Sequence, residues 1–224
     1  MSKKSLHLGK LLKFFGAQDN HLVTDLRSDL RRERDKLEGG NAGGMDFYNC
    51  FWADAKWHVN GVASLKELTR GRVAVSAQRR NLYPKLCSGF LDWFDEVNRA
   101  TNRHVGLSTE KFHNHLEFEA LGLELKVDNL LTLKFGTDNH RLVYPYFAKK
   151  TALSKKWARV GLWCMLEAFP EETITDLEIL DVLRGTGFSG AKISLRGDEE
   201  FLFEQRYREI EKTWNELRPH YGLK

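Results

Sequence analysis

Apolar residues recur along the first hundred positions with the spacing of helices, and past Asn102 they alternate with polar ones instead. Leu8, Leu11, Leu12 and Phe15 predict a short amphipathic helix whose stripe docks on the protein's own core. Leu22, Leu26 and Leu30 predict a second helix over 20–37, in which Arg27, Arg31, Arg32 and Arg34 interleave with Asp25, Asp29, Glu33 and Asp35 as i,i+4 partners. Phe47, Tyr48, Phe51 and Trp52 share one face of a third helix, with Gly61 as its stop. Leu65, Leu68 and Val75 mark the inward face of a helix expected over 63–81. Pro84 breaks or restarts the pattern before Phe90, Phe94 and Val97 continue it.

The period-2 half reads as strands near 112–120, 123–128, 130–135 and 141–146, with a turn at Gly136 to Asn139. A helix follows, with Ser154 as N-cap, Ala158, Leu162, Met165, Leu166 and Phe169 as its buried stripe, and Pro170 as its end. Asp176 to Gly185 reads as a buried strand, with a helical reading open, and a last amphipathic helix is expected over 198–217. The predicted class is α+β, a helical N-terminal half followed by an antiparallel β-meander covered by two C-terminal helices. The glycine-rich segment Glu38 to Gly44 is the best boundary. It divides a helical arm (1–38) from a helical region (45–105) and an α+β region (106–224), of which 45–224 can form one domain.

Fourteen Phe, six Trp and six Tyr against four Pro in 224 residues give enough apolar area for a packed core, which excludes a disordered chain. The run Val160 to Leu166 is far short of the roughly 20 residues that span a bilayer. Lys10 and Lys13 interrupt any secretory-type apolar stretch near the start. Cys50, Cys87 and Cys164 are odd in number and far apart, and no glycosylation sequon is present. Such usage fits a reducing compartment, so an intracellular, cytoplasmic location is expected. Residues 1–90 carry 16 Lys and Arg against 9 Asp and Glu, a net +7, and the remainder carries −3. An anionic partner is therefore expected on the first half.

Two stretches carry candidate chemistry. Arg70, Arg72, Arg79 and Arg80 surround one helix, and each guanidinium offers a fork of donors to phosphate. In Lys111 to Asn129, alternation puts Phe112, Leu116, Phe118 and Ala120 on one face and His113, His115, Glu117 and Glu119 on the other. A turn centred on Leu121-Gly122 pairs Glu119 with Glu124, Glu117 with Lys126, and His115 with Asp128. Glu124-Leu125-Lys126 with an acid on the neighbouring strand resembles the PD-(D/E)xK nuclease pattern. That resemblance implies Mg²⁺ held by Glu119 and Glu124, with Lys126 orienting water as the third catalytic residue.

Three strands followed by a helix that opens Ser154-Lys155-Lys156-Trp157-Ala158-Arg159 resemble a double-stranded-RNA-binding domain. That likeness implies phosphate contacts from Lys155, Lys156 and Arg159. No Ser-His-Asp order, phosphate-binding loop, HExxH or EF-hand pattern occurs. The expected function is a non-catalytic binding or assembly component without a cofactor, contacting nucleic acid or an acidic protein partner through its basic helical half. The alternative is a Mg²⁺-dependent nuclease using the 112–128 hairpin.

Overall fold

Burial of Leu8, Leu11, Leu12, Phe14 and Phe15 fixes the start of the chain against the rest of the protein. In the computed structural model, residues 4–39, 47–136 and 139–223 are described, and they form seven α-helices and eight strands in two sheets. The N-terminal half comprises β1 (Lys4–His7), α1 (Leu8–Gly16), α2 (Asp19–Leu37), α3 (Phe47–Val59), α4 (Leu65–Ala74) and α5 (Tyr83–Arg99). Next come β2 (Val105–Leu107), β3 (Asn114–Phe118), β4 (Leu123–Val127), β5 (Leu131–Phe135) and β6 (Asn139–Tyr146). The chain closes with α6 (Lys155–Ala168), β7 (Leu177–Asp181), β8 (Thr186–Ser189) and α7 (Glu199–Leu217). The class is α+β, with helices at both ends of the chain.

Five strands, in the order β2-β5-β6-β7-β8, make the larger sheet. All its pairings are antiparallel except β6 with β7, which run parallel across the α6 connection. Its strands alternate between two apolar layers, as period 2 requires. Leu142, Tyr144, Tyr146, Leu177 and Ile179 join the core built with α1, α2, α6 and α7. Leu131, Leu133, Val143, Leu180 and Val182 join the core built with α3 and α5. All five residues of β7 are buried, and two of them, Glu178 and Asp181, are acids that need partners there.

The smaller sheet, β1-β4-β3, was not legible as a sheet of its own. Periodicity runs β4 into β5 as one meander, yet Asn129 stands between them in the left-handed region, at φ 61°. Asn tolerates that conformation better than other residues with a Cβ. Trp52 Nε1 donates to its carbonyl at 2.7 Å, and its side-chain amide donates to Asn49. The chain is thereby redirected into the second sheet. Four residues read as the flank of the first helix instead form β1, which pairs in parallel with β4.

The helix expected over 63–81 ends at Ala74 and gives way to a short turn of 3₁₀ helix at Ala77–Arg79. Val75, expected inside, is 80% exposed there. Residues 40–46, with most of the glycine-rich boundary, lie outside the described residues, as do 137–138 of the 136–139 turn. No helix among the described residues is long and apolar enough to cross a membrane.

Candidate nucleic-acid interface

The parallel pair β6 and β7 ends where two helices begin. α6 starts just beyond β6, and Leu153 N, at its approach, donates to Asp181 Oδ2 at the end of β7. α5 runs antiparallel to β7. Trp93 Nε1 reaches Glu178 near the strand's start, while Gly89 lies against Val182 O and Gly185 N just past its end. The N-termini of α5 and α6 therefore lie at one end of the molecule, outside the carboxyl ends of the parallel strands. Neither helix has an acidic residue in its first turn, so both partial positive charges are uncompensated by their own sequence.

That end is basic. Lys149, Lys150, Lys155 and Lys156 are exposed around the start of α6, and Arg80 and Lys85 are exposed around the start of α5. Arg184 closes the gap. Its guanidinium donates to the carbonyls of Ala148 and Lys149 and to both oxygens of Asp181. Asp181 is buried, and that burial raises its carboxyl pKa despite the arginine. Half-buried rings line the same end: Tyr48 stacks on Phe147 at 4.8 Å, and Lys156 Nζ stands 4.5 Å from the centre of the Trp157 ring.

The seven basic residues expected from sequence to contact phosphate divide into two groups. Lys155, Lys156, Arg70 and Arg80 are exposed. Arg72 makes a two-point contact with buried Asp54, at 2.9 Å in both bonds, and Arg79 is buried over the Tyr83 ring. Arg159 is buried between Asp198 and Glu199. Arg72 and Arg159 are committed to acids within the protein, because a charge withdrawn from water needs a paired counter-charge, and Arg79 is held against the Tyr83 ring. Helical periodicity cannot separate an outward arginine from one folded back onto a buried acid.

Arg70 lies with Lys66 on the α4 wall of a groove of about 680 Å³, and Asp92 and Asp95 belong to its α5 side. Those carboxylates repel a phosphate, so α4 is a poorer landing place than the α6 end. Lys149, Lys150 and Lys85 were missed, as was Arg184, which like Arg72 is committed to a buried acid and braces the Ala148-Lys149 backbone. The two lysine pairs in Ala148-Lys149-Lys150-Thr151-Ala152-Leu153-Ser154-Lys155-Lys156 were the available signal.

On the hairpin, the register differs from the expected one by two residues. Glu117 lies opposite Glu124 and His115 opposite Lys126, while Glu119 leaves the strand for a tight 3₁₀ turn over Glu119–Leu121. Glu119 is therefore not the cross-strand partner of Glu124. Among the described residues, no group of three or more His, Cys, Asp and Glu side chains is placed to hold a metal ion. Glu124 instead accepts from Ser5 Oγ at 2.9 Å, and Lys126 Nζ stands 3.8 Å from it. The chain matches no family model, and no curated protein matches its sequence.

Proposed function

We propose that this protein binds nucleic acid through the basic end formed by residues 147–156, Arg184 and the start of α5. The observation that carries this reading is the convergence of exposed lysines with two helix N-termini that have no acidic residue in their first turns. Phosphates gain from the lysine charges and from the positive ends of the two helix dipoles. Binding of this kind reads backbone charge more than sequence, and it weakens steeply as salt displaces the condensed counterions.

The test is fluorescence anisotropy of a labelled 20-nucleotide single-stranded RNA and its DNA counterpart, titrated at several KCl concentrations. The wild type and a variant carrying Lys149→Ala, Lys150→Ala, Lys155→Ala and Lys156→Ala are compared. The expected result is weaker binding by the variant, with a salt slope shallower by about 0.7 for each phosphate that the variant no longer neutralises. Equal affinity and equal slope would reject the interface.

A further inference from the structure

We infer that the open face of the small sheet is an active site that cleaves RNA by internal transesterification. The two imidazoles of His7 and His115 act as acid and base, and Lys126 binds the phosphate between them. This deepens the nucleic-acid reading by naming a chemistry and a substrate class, and it uses residues remote from the α6 lysines.

Three adjacent strands set the geometry. His7 on β1 and His115 on β3 are both Cα partners of Lys126 on β4, so the three side chains form one row, His-Lys-His, across the sheet. Partners in register project from the same face, and here it is the wet one. Leu6, Leu125 and Leu116 occupy the opposite, core side. Two inter-strand steps separate the histidine backbones by about 10 Å, a span that a phosphodiester and its two flanking oxygens fill. The imidazoles are accessible, with side chains 58% and 49% exposed.

Each ring is turned the same way by a carboxylate. His7 Nδ1 lies 3.0 Å from Asp128 Oδ1, and His115 Nδ1 lies 3.7 Å from Glu124 Oε1. The hydrogen bond to Asp128 fixes the tautomer of His7 and leaves its Nε2 for a substrate, and the longer Glu124 contact attracts the charged form of His115 without a hydrogen bond. Glu124 is itself held by Ser5 Oγ and by Lys126. The charged groups facing the two imidazoles are thus Asp128, Glu124 and Lys126, with Glu117 beside Glu124 as the remaining carboxylate of this face.

The step balances without a metal, oxidant or water. One neutral imidazole takes the proton of the ribose 2′-hydroxyl as that oxygen attacks phosphorus. The P–O5′ bond breaks, and the other imidazole, protonated at the start, gives its proton to the departing 5′-oxygen. Lys126 Nζ neutralises the charge that grows on the non-bridging oxygens. The products are a 2′,3′-cyclic phosphate and a free 5′-hydroxyl, and the two histidines have exchanged protonation states.

The experiment uses the dinucleotide UpA in EDTA, with chromatographic detection of cyclic uridine phosphate and adenosine. UpA is too short to reach from His7 to the α6 lysines, since α1 alone, with nine residues, spans about 13 Å. Cleavage of UpA and none of its 2′-deoxy analogue is expected. His7→Ala and His115→Ala should each lower the rate by about 100-fold or more. Lys126→Arg should retain more activity than Lys126→Ala. The wild-type rate should pass through a maximum with pH, and each histidine variant should lose one limb of it. Intact UpA, cleavage of the deoxy analogue, or variants as active as the wild type would overturn the proposal. Cleavage of UpA by a protein that fails to bind the 20-nucleotide RNA would reject the basic interface alone.

Discussion

Single residues show how this protein uses its charged groups. Asp54, Asp181 and Glu178 are buried, and each is met by an arginine: Arg72, Arg184 and Arg141. Trp93 adds a second donor to Glu178 at 2.8 Å. Partial desolvation is costly even so, and for Asp181 it outweighs the Leu153 and Arg184 bonds, leaving the carboxyl pKa raised. A raised folded-state value means that the folded protein holds this proton more tightly than the unfolded chain. The group's contribution to stability therefore falls as pH climbs from the ordinary carboxylate value, about 4, through the raised one. Urea midpoints of the wild type and Asp181→Asn should differ by an amount that shifts against the wild type across that interval. A difference independent of pH would show that Asp181 ionises as it does in the unfolded chain. None of this was visible in the sequence, because a buried acid and a solvated one are the same letter.

At the scale of elements, apolar spacing identified most helices and the strands β3 to β7, whereas the short β2 and β8 were not expected. Leu22, Leu26 and Leu30 are buried on α2 as expected, and so are Phe203, Tyr207, Ile210 and Trp214 on α7. Register was less legible. Sliding β3 against β4 by two residues leaves every side chain on its face, so alternation cannot distinguish Glu117 from Glu119 as the partner of Glu124. The tight turn at Glu119–Leu121 decides it. β1 escaped notice because four residues, flanked by a helix with a strong stripe, carry too little alternation to register. That omission hid His7 and Ser5 from the candidate site.

Packing between elements also depends on close approach. A Cβ on Gly89 of α5 would stand well inside van der Waals distance of Val182 O, a backbone atom that cannot step aside cheaply. Gly89→Ala should therefore cost about 1–3 kcal/mol or more by prising α5 from the end of β7. A urea midpoint unchanged from the wild type would show that the helix is not seated this closely.

For the whole molecule, charge and topology act together. In residues 1–90, where the sequence carries its excess positive charge, Lys10 and Lys13 pair with Asp29 and Asp25, and Arg72 with Asp54, while Arg27, Arg31, Arg32, Arg34 and Lys36 stay exposed on α2 among its acids. A second exposed concentration, without interleaved acids in the first helical turns, lies where α5 and α6 begin, a juxtaposition created by the parallel β6–α6–β7 connection and invisible to any count along the chain. The His-Lys-His row is likewise a product of three strands distant in sequence. α1 joins the two regions, since its last residue, Gly16, packs against Thr151 and Trp157 while its first follows His7.

Amide hydrogen exchange with and without a 20-nucleotide single-stranded RNA at low salt tests the central claim most directly. The account predicts slowed exchange in residues 147–156, around Arg184 and in the first turn of α5, with α4 and its groove unchanged. Protection confined to α4 and the Asp92 side of the groove, or none at the start of α6, would contradict it.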